Sequence, residues 1–280
     1  MKFYKYQGAG NDFLIADNRD GSVRLSVDKI ASLCDRRYGV GADGLMFLEK
    51  PDDENDDSLG FKMVYFNSDG SGGMMCGNGG RCIAAFAADL GIGCLSFVAA
   101  DGYHIAEVVA SDGNLKTVRL QMKDVDCCQH HDSLTGVDCP SEGYFLDTGT
   151  RHFVRFVDDV SGYDIVSEGR QIRYGASELQ PVGANVNFVE AADGLLKVRT
   201  YEKGVEDETY ACGTGIVASC IAAYKSGICP SDRSGDAVTY DVQAKRDRLS
   251  VSFIPVDNGV AEQVFLTGPA VFVAEVICDL

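Results

Sequence analysis

Basic residues are scarce in this 280-residue chain: 25 Lys and Arg stand against 42 Asp and Glu, for a formal charge of −17. Such a surface repels phosphate backbones and anionic headgroups, which argues against nucleic-acid or membrane-surface partners. Long apolar runs are also lacking. The opening MKFYKYQGAGND has none of the apolar stretch of a signal peptide, and no later run approaches membrane-spanning length. The expectation is a soluble, cytoplasmic protein. No Cys-x-x-Cys pair occurs, so zinc ribbons and thioredoxin-type redox motifs are unsupported. No P-loop occurs either. GVGADG (39–44) spells G-x-G-x-x-G, but a helical segment precedes it and apolar GLMFLE follows. That context is the reverse of a dinucleotide-binding turn, and the stretch reads as a turn into a strand.

What is present is a core and many cysteines. Apolar residues make up 45% of the chain, enough for one large domain or two ordinary ones. Eleven cysteines, an odd number at irregular spacings, fit a reducing compartment rather than a disulfide scaffold. Most are expected to be small buried hydrophobes. CCQHHD (127–132) could suggest a metal cluster, but consecutive residues cannot easily all face one ion, and it is expected to be surface linker. The acidic run DDENDD (52–57) reads as a solvated loop.

Short β-rich runs bounded by turn residues predict strands at 13–17, 44–49, 61–67, 117–122, 152–159, 186–191 and 196–202. Helices are expected over 28–38, with Ser26 as a possible cap, and over the Ala-rich stretches 81–92 and 216–228. Those two are apolar on most faces, which predicts burial. The chain also repeats itself. CGNGGRCIAAFAADLGI (76–92) and CGTGIVASCIAAYKSGI (212–228) have equal length and end in Gly-Ile. Phe13 matches Phe153, Ala42 matches Ala184, and KMVYFNSDG (62–70) matches KVRTYEKG (197–204), in the same order. The fold expected is α/β (α+β), with two pseudo-symmetric domains, each a strand-rich unit wrapped around a central helix. One half-domain is expected from 1–122 plus 264–280 and the other from 130–263, with 125–143 as linker region.

The two repeated loops place Cys76 and Cys212 at glycine-rich helix starts. The first amides of a helix have no acceptor within it and suit a carboxylate. The same positive end favours thiolate over thiol. Two such ends could meet at one amino-acid carboxylate, with a thiol on each face of its α-carbon. One thiolate would remove the α-proton and the opposite thiol would deliver another, inverting the centre without a cofactor. For a lone cysteine, burial as a packing residue would be the better reading; for two at matched repeat positions it is not.

At these residues the sequence resembles the diaminopimelate epimerase family, nearly end to end. GAGNDF (8–13), FNSDG (66–70), CGNGGRC (76–82), TYEKG (200–204), ACGTG (211–215) and LTGPA (266–270) are similar to the family's blocks in order. The resemblance implies two α/β domains about a pseudo-twofold axis, an active site in the cleft between them, and a homodimer. It implies conversion of LL- to meso-diaminopimelate in lysine and cell-wall precursor synthesis, with no pyridoxal phosphate and no metal. It makes Cys76 and Cys212 the acid–base pair and sets Gly77, Asn78, Gly213 and Thr214 on the reacting carboxylate. Asn11, Asn67 and Asn185 would line the site, Glu202 would meet the substrate amino group, and His152 would sit near the catalytic centre. For His152 a surface strand position is the alternative, and for the asparagines it is turn chemistry. Lys203 stands where the family usually has an arginine that grips the distal carboxylate, and Thr150 and Arg151 also depart from its pattern, as do Gly44 and Gly72 from that of some members. These departures motivate the alternative of a racemase for another amino acid on the same fold. Proline racemases carry histidine where Asn78 stands, phenazine-type isomerases lack the cysteine pair, and a non-catalytic amino-acid binder is the reading from another class.

Overall fold

A computed structural model describes residues 1–279 except 54, 55, 57, 74 and 193, and leaves the side chain of residue 258 undescribed. The chain divides into two compact units, residues 1–121 with 267–280, and residues 122–266. The first contains β1 (Lys2–Gly8), β2 (Asn11–Asp17), α1 (Val27–Cys34), β3 (Gly44–Glu49), β4 (Phe61–Asn67) and α2 (Gly77–Asp89). It continues with β5 (Phe97–Ala99), β6 (Gly102–His104), β7 (Ala106–Asp112) and β8 (Leu115–Gln121). The second contains β9 (Cys128–His131), β10 (Gly143–Asp147), β11 (Arg151–Phe156), α3 (Ile165–Gly175), β12 (Asn185–Ala192) and β13 (Leu195–Glu202). After β14 (Asp207–Thr209) come α4 (Gly213–Lys225), β15 (Asp232–Ser234), β16 (Ala237–Gln243) and β17 (Arg248–Val256). The last strand, β18 (Val260–Ile277), begins in the second unit and finishes in the first.

The same run of pairings occurs in both units. In the first, β1 is antiparallel to β2, β2 parallel to β3, and β3 antiparallel to β4. In the second, β10 is antiparallel to β11, β11 parallel to β12, and β12 antiparallel to β13. Each parallel pair is joined through a helix, α1 or α3, as such crossovers require. Phe13 lies opposite Gly44 and Phe153 opposite Val186, so the repeat visible in the sequence is a repeat of register. Strand β1 completes the first unit against β18, with Lys2 opposite Ile277.

Side-chain alternation explains why β2 is apolar without interruption. Leu14 and Ala16 pack with Ile30 and Leu33 of α1 and with Leu45 and Phe47 of β3. Phe13 and Ile15 therefore point to the opposite face, where α2 packs. In the second unit Phe153, Val186, Phe188 and Tyr201 form the core beneath Ile165 and Ile172 of α3. Ser26 caps α1 by accepting from Lys29 N, as expected, although the helix ends at Cys34 and not at 38. The two Ala-rich helices are buried as expected. Both close on a left-handed glycine, Gly91 (φ 76°) and Gly227 (φ 82°), and the following isoleucine amides return to Ala87 O and Ala223 O.

Several expectations need correction. Residues 125–143 are not a linker. Cys128–His131 forms a strand whose Gln129 and His130 pair with Phe145 and Tyr144 of β10, and Leu134 belongs to the core of the second unit. Within CCQHHD, Cys127 is exposed and Cys128 buried. Five cysteines are buried, four half-buried and two exposed, so burial does not account for most of the eleven. The strand expected over 152–159 stops at Phe156, because Asp159 accepts from Ser161 N and turns the chain. Helix α3 is not marked by the sequence pattern. Its buried stripe is only Ile165, Gly169 and Ile172, and its start is set by Asp164 accepting from Ser167 N. Part of the acidic run 52–57 lies outside the described residues, while Asp52 pairs with Lys62.

Gly169 is the contact on which α3 seats. A Cβ there would lie 2.4 Å from Tyr201 Cβ, inside the core. Gly169→Ala is expected to lower stability by about 1–3 kcal/mol despite the better helix propensity of alanine, because the core must shift. Arg170→Ala on the exposed side is expected to stay within about 0.5 kcal/mol. Urea unfolding of the two variants checks this.

Candidate active site

Each repeated loop can be built upward within its own unit. In the first, Cys76 is the extended residue before α2 (φ −123°, ψ 119°), and its carbonyl takes the first helical bond from Gly80 N at 2.7 Å. The helix thus starts at Gly77, four residues before the apolar run suggests. Glycine disfavours a helix interior by about 1 kcal/mol, so Gly79 and Gly80 must serve packing. A Cβ on Gly79 would meet Met46 Sδ at 3.2 Å, and one on Gly80 would meet Leu120 and Met75 side-chain atoms at 2.9 Å. The helix end is pressed onto the sheet with no space for a methyl group.

Asn11 is delivered to this end by the two-residue turn Ala9–Gly10, whose φ values are 52° and 93°. Both being positive makes it a primed hairpin turn, suited to the strand twist. Asn78 Nδ2 donates to Asn11 Oδ1, and Asn11 Nδ2 donates to Asp43 Oδ2 at 3.1 Å. Behind them lies Arg81, fully buried. Its guanidinium donates to Asn78 Oδ1 at 2.9 Å and makes longer contacts, 3.5 Å, to Gly77 O and Pro269 O. Arg81 thus places a positive charge under the helix start and fixes which way the Asn78 amide faces. Asn67 ends β4, where Nδ2 donates to Ser71 Oγ at 2.9 Å and the backbone closes the 67–71 turn. Turn chemistry, the alternative for this asparagine, is present.

In the second unit Cys212 holds the matching place before α4 (φ −100°, ψ 108°) and is 8% exposed. Its Sγ lies 3.4 Å from Thr214 Oγ1. Thr214 Oγ1 is in turn 3.0 Å from His152 Nε2, and Thr148 Oγ1 donates to Thr214 O at 3.0 Å. His152 is no surface histidine: it is fully buried on β11. Burial, with the charge of Lys203 adding to it, pulls its pKa down to about 3. The ring is neutral. Asn185 Oδ1 accepts from Lys203 N at 2.8 Å, and its Nδ2 reaches Arg151 O at 3.2 Å. Glu202 ends β13 and accepts from Thr209 Oγ1 at 2.7 Å. Arg151 is committed elsewhere, donating to Leu179 O and lying over the Phe145 ring.

The structure therefore gathers Cys76, Gly77, Asn78 and Asn11 in one unit, and Cys212, Thr214, His152, Asn185 and Lys203 in the other. Three buried partners are not marked by the sequence pattern: Arg81, Asn187 and Thr200. Arg81 lies inside CGNGGRC, where its residue type alone suggests a surface position. Asn185 and Asn187 share one strand face by the two-residue period, and that signal is available in the sequence. The cysteines inside the two helices, Cys82 and Cys220, are fully buried, and burial drives both thiols upward, away from ionisation. Among the described residues no group of three or more His, Cys, Asp or Glu is placed to hold a metal ion. No helix among them is long and apolar enough to cross a membrane.

Two α/β units of the same strand pairing, each with its own buried helix, define the class of fold. The solved structures agree at the level of fold. A probable proline racemase from Agrobacterium radiobacter K84 superposes with a TM-score of 0.70 at 16% identity, covering 100% of this chain and 93% of its own. A phenazine biosynthesis protein of the PhzF family from Bacillus anthracis gives 0.68 at 14% identity, covering 100% and 99%. Sequence narrows the class. The family model for diaminopimelate epimerase matches residues 3–122 and 144–273. The diaminopimelate epimerase of Flavobacterium psychrophilum is 44% identical over 98% of this chain and 99% of its own. That of Chlorobaculum tepidum is 38% identical over 94% and 95%. The chain belongs to the diaminopimelate epimerase family.

The depressed His152 pKa carries a sign. Between its folded value of about 3 and its ordinary 6.5, the unfolded state binds the proton more readily. Stability should therefore fall as pH drops below about 6.5 and keep falling toward about 3. His152→Gln is expected to flatten this acid-side loss, measured as the difference in urea midpoint between pH 7 and pH 5. Equal pH slopes for variant and parent would show that the ring titrates normally.

Proposed function

We propose that this chain interconverts LL- and meso-diaminopimelate by proton transfer at the α-carbon, with Cys76 and Cys212 as the acid–base groups and no cofactor. The observation that carries the reading is the matched device: a cysteine capping the glycine-rich first turn of a buried helix at the same place in two units of the same topology. The α-hydrogen of an amino acid is a weak acid, so its removal needs a strong base and stabilisation of the charge that flows into the carboxylate. Helix-start amides at Gly77, Asn78, Gly213 and Thr214 supply the second. One thiolate takes the α-proton, an S–H bond forming as the C–H bond breaks, and the electron pair passes to the carboxylate. The opposite thiol gives its proton to the other face. The enzyme is left with its two sulfurs exchanged in protonation state, ready for the reverse direction.

In this reading Asn11, Asn67 and Asn185 line the substrate, Glu202 meets its amino group, and Lys203 pairs with its distal carboxylate. His152 stands behind Cys212 through Thr214, near the catalytic centre. The net charge of −17 and the odd number of irregularly spaced cysteines support a reducing, cytoplasmic setting without nucleic-acid or membrane partners. The homodimer follows from the family resemblance.

The test is incubation with LL-diaminopimelate in deuterium oxide without added cofactor, followed by chiral separation and mass analysis of the α-position. Cys76→Ala and Cys212→Ala should each abolish turnover, while Cys82→Ala and Cys220→Ala keep most of it. Full activity in Cys212→Ala would sink the two-base scheme. Lys203 gives a separate check. A lysine meets a carboxylate as a point charge, without the bidentate fit of arginine. Lys203→Ala should lower kcat/KM on diaminopimelate by the equivalent of roughly 1.5–3 kcal/mol, and Lys203→Arg should be tolerated. No change in Lys203→Ala would mean that another group holds the distal carboxylate.

A further inference from the structure

The hydrogen bonds around His152 have a direction, and it can be read from groups that can only donate or only accept. The carbonyl of Phe153 can only accept, and Asn187 Nδ2 lies 3.2 Å from it. The Asn187 amide is thereby oriented. Its Oδ1 accepts from Thr200 Oγ1 at 2.9 Å, across the β12–β13 pair in which Asn187 lies opposite Thr200. The same Nδ2 lies 3.1 Å from His152 Nδ1, so that ring nitrogen is the acceptor. In a neutral imidazole the proton is then on Nε2. Nε2–H faces two hydroxyls, Thr150 Oγ1 at 2.9 Å and Thr214 Oγ1 at 3.0 Å.

The hydroxyl protons follow. Asn185 is oriented by Lys203 N–H, which can only donate to its Oδ1, so its Nδ2 is what faces Thr150 Oγ1 at 3.4 Å. Thr150 Oγ1 thus meets two donors, and its own proton turns to Thr214 Oγ1, 3.3 Å away. The single Nε2–H is shared between the two hydroxyls, and Thr214 Oγ1 also receives from Thr150, so its own proton turns to Cys212 Sγ at 3.4 Å. A second observation makes the arrangement part of the helix start. A Cβ on Gly215 would lie 2.3 Å from Asn187 Oδ1 and 3.3 Å from Cys212 Cβ. The second glycine of CGTG is the space that the Asn187 amide fills.

We propose that Thr200, Asn187 and Thr150 are positioning residues that lock His152 as the neutral Nε2–H tautomer and so aim the Thr214 hydroxyl at Cys212 Sγ. His152 acts as a fixed donor and not as a proton carrier. The relay favours the thiolate of Cys212 by a hydroxyl hydrogen bond, in addition to the helix end. Its link to catalysis rests on the acid–base role given to Cys212 above, but neither measurement below involves diaminopimelate, so failure of the substrate reading would leave them unaffected.

The first measurement uses the unmodified protein. With 15N-labelled histidine, long-range 1H–15N spectra at pH 7 distinguish the two tautomers and the imidazolium, and His152→Gln identifies the signal among four histidines. The Nε2–H form is expected; the Nδ1–H form or an imidazolium would overturn the proposal. Asn187→Asp supplies a carboxylate that accepts from the ring, and should move the proton to Nδ1. The second measurement is the rate of iodoacetamide alkylation at Cys212, followed by peptide mapping across a pH series. Thr214→Val should slow it several-fold near neutral pH and shift the profile to higher pH, while Thr214→Ser should restore it. Thr200→Val should slow it less, because the Asn187–Phe153 bond survives. Equal profiles for Thr214→Val and Thr214→Ser would show that the hydroxyl does not reach the sulfur, and the proposal would fall.

Discussion

A helix that starts inside a protein leaves its first amides without intrahelical acceptors and brings a positive field with it. Most of what distinguishes this chain follows from doing that twice. Cys76 and Cys212 take the cap position, where serine, threonine, aspartate or asparagine is usual, and neither makes a side-chain cap bond. The stability such a bond would add is given up. The gain is a helix end able to receive an anion and a sulfur set beside it. Glycines at Gly79, Gly80 and Gly215, poor helix formers, are tolerated for the same reason: they let the end be pressed against the sheet.

The two ends are backed differently. Behind Cys76 the first turn lies on the Met46 thioether and is underpinned by the buried Arg81, whose permanent charge orients Asn78 and, through it, Asn11. Behind Cys212 an oriented set of neutral groups does that work. A fixed charge acts through distance and is insensitive to small shifts. A hydrogen-bond chain depends on each member's orientation and fails if one is turned. The repeated units have thus kept the cap, the glycines and the closing Gly-Ile while replacing the support beneath.

Much of this was legible in the sequence. The repeat could be read because matched residues hold matched places on paired strands: Phe13 faces Gly44 as Phe153 faces Val186. The cysteine loops could be read because glycines crowded into a first helical turn weaken the helix, and so mark a place where backbone must come close to something. The family resemblance, and not the pattern, put the asparagines and Glu202 among the candidates. Helix α3 was hidden because Gly169, the residue that makes its packing possible, reads as a helix breaker in isolation. Strand β9 was hidden because its four residues, Cys128–His131, are polar or small and look like a ligand cluster, and only the pairing with β10 shows them to be a strand. Arg81, Asn187 and Thr200 were missed since a buried polar side chain looks, in one dimension, like a surface one; its meaning lies in the partner across the sheet.

The β1–β18 pairing joins residues at opposite ends of the chain, Lys2 and Ile277. Strand β1 is therefore made well before the strand that completes it. Contacts so distant in sequence carry a loop-closure cost and slow folding. Residues 122–266, by contrast, form a unit whose own strands are all made before residue 267 appears. On the ribosome the order of completion is then the reverse of the order of synthesis: the later-made unit is whole first, while β1 waits with an unpaired edge. An open strand edge is the surface at which nascent chains mispair.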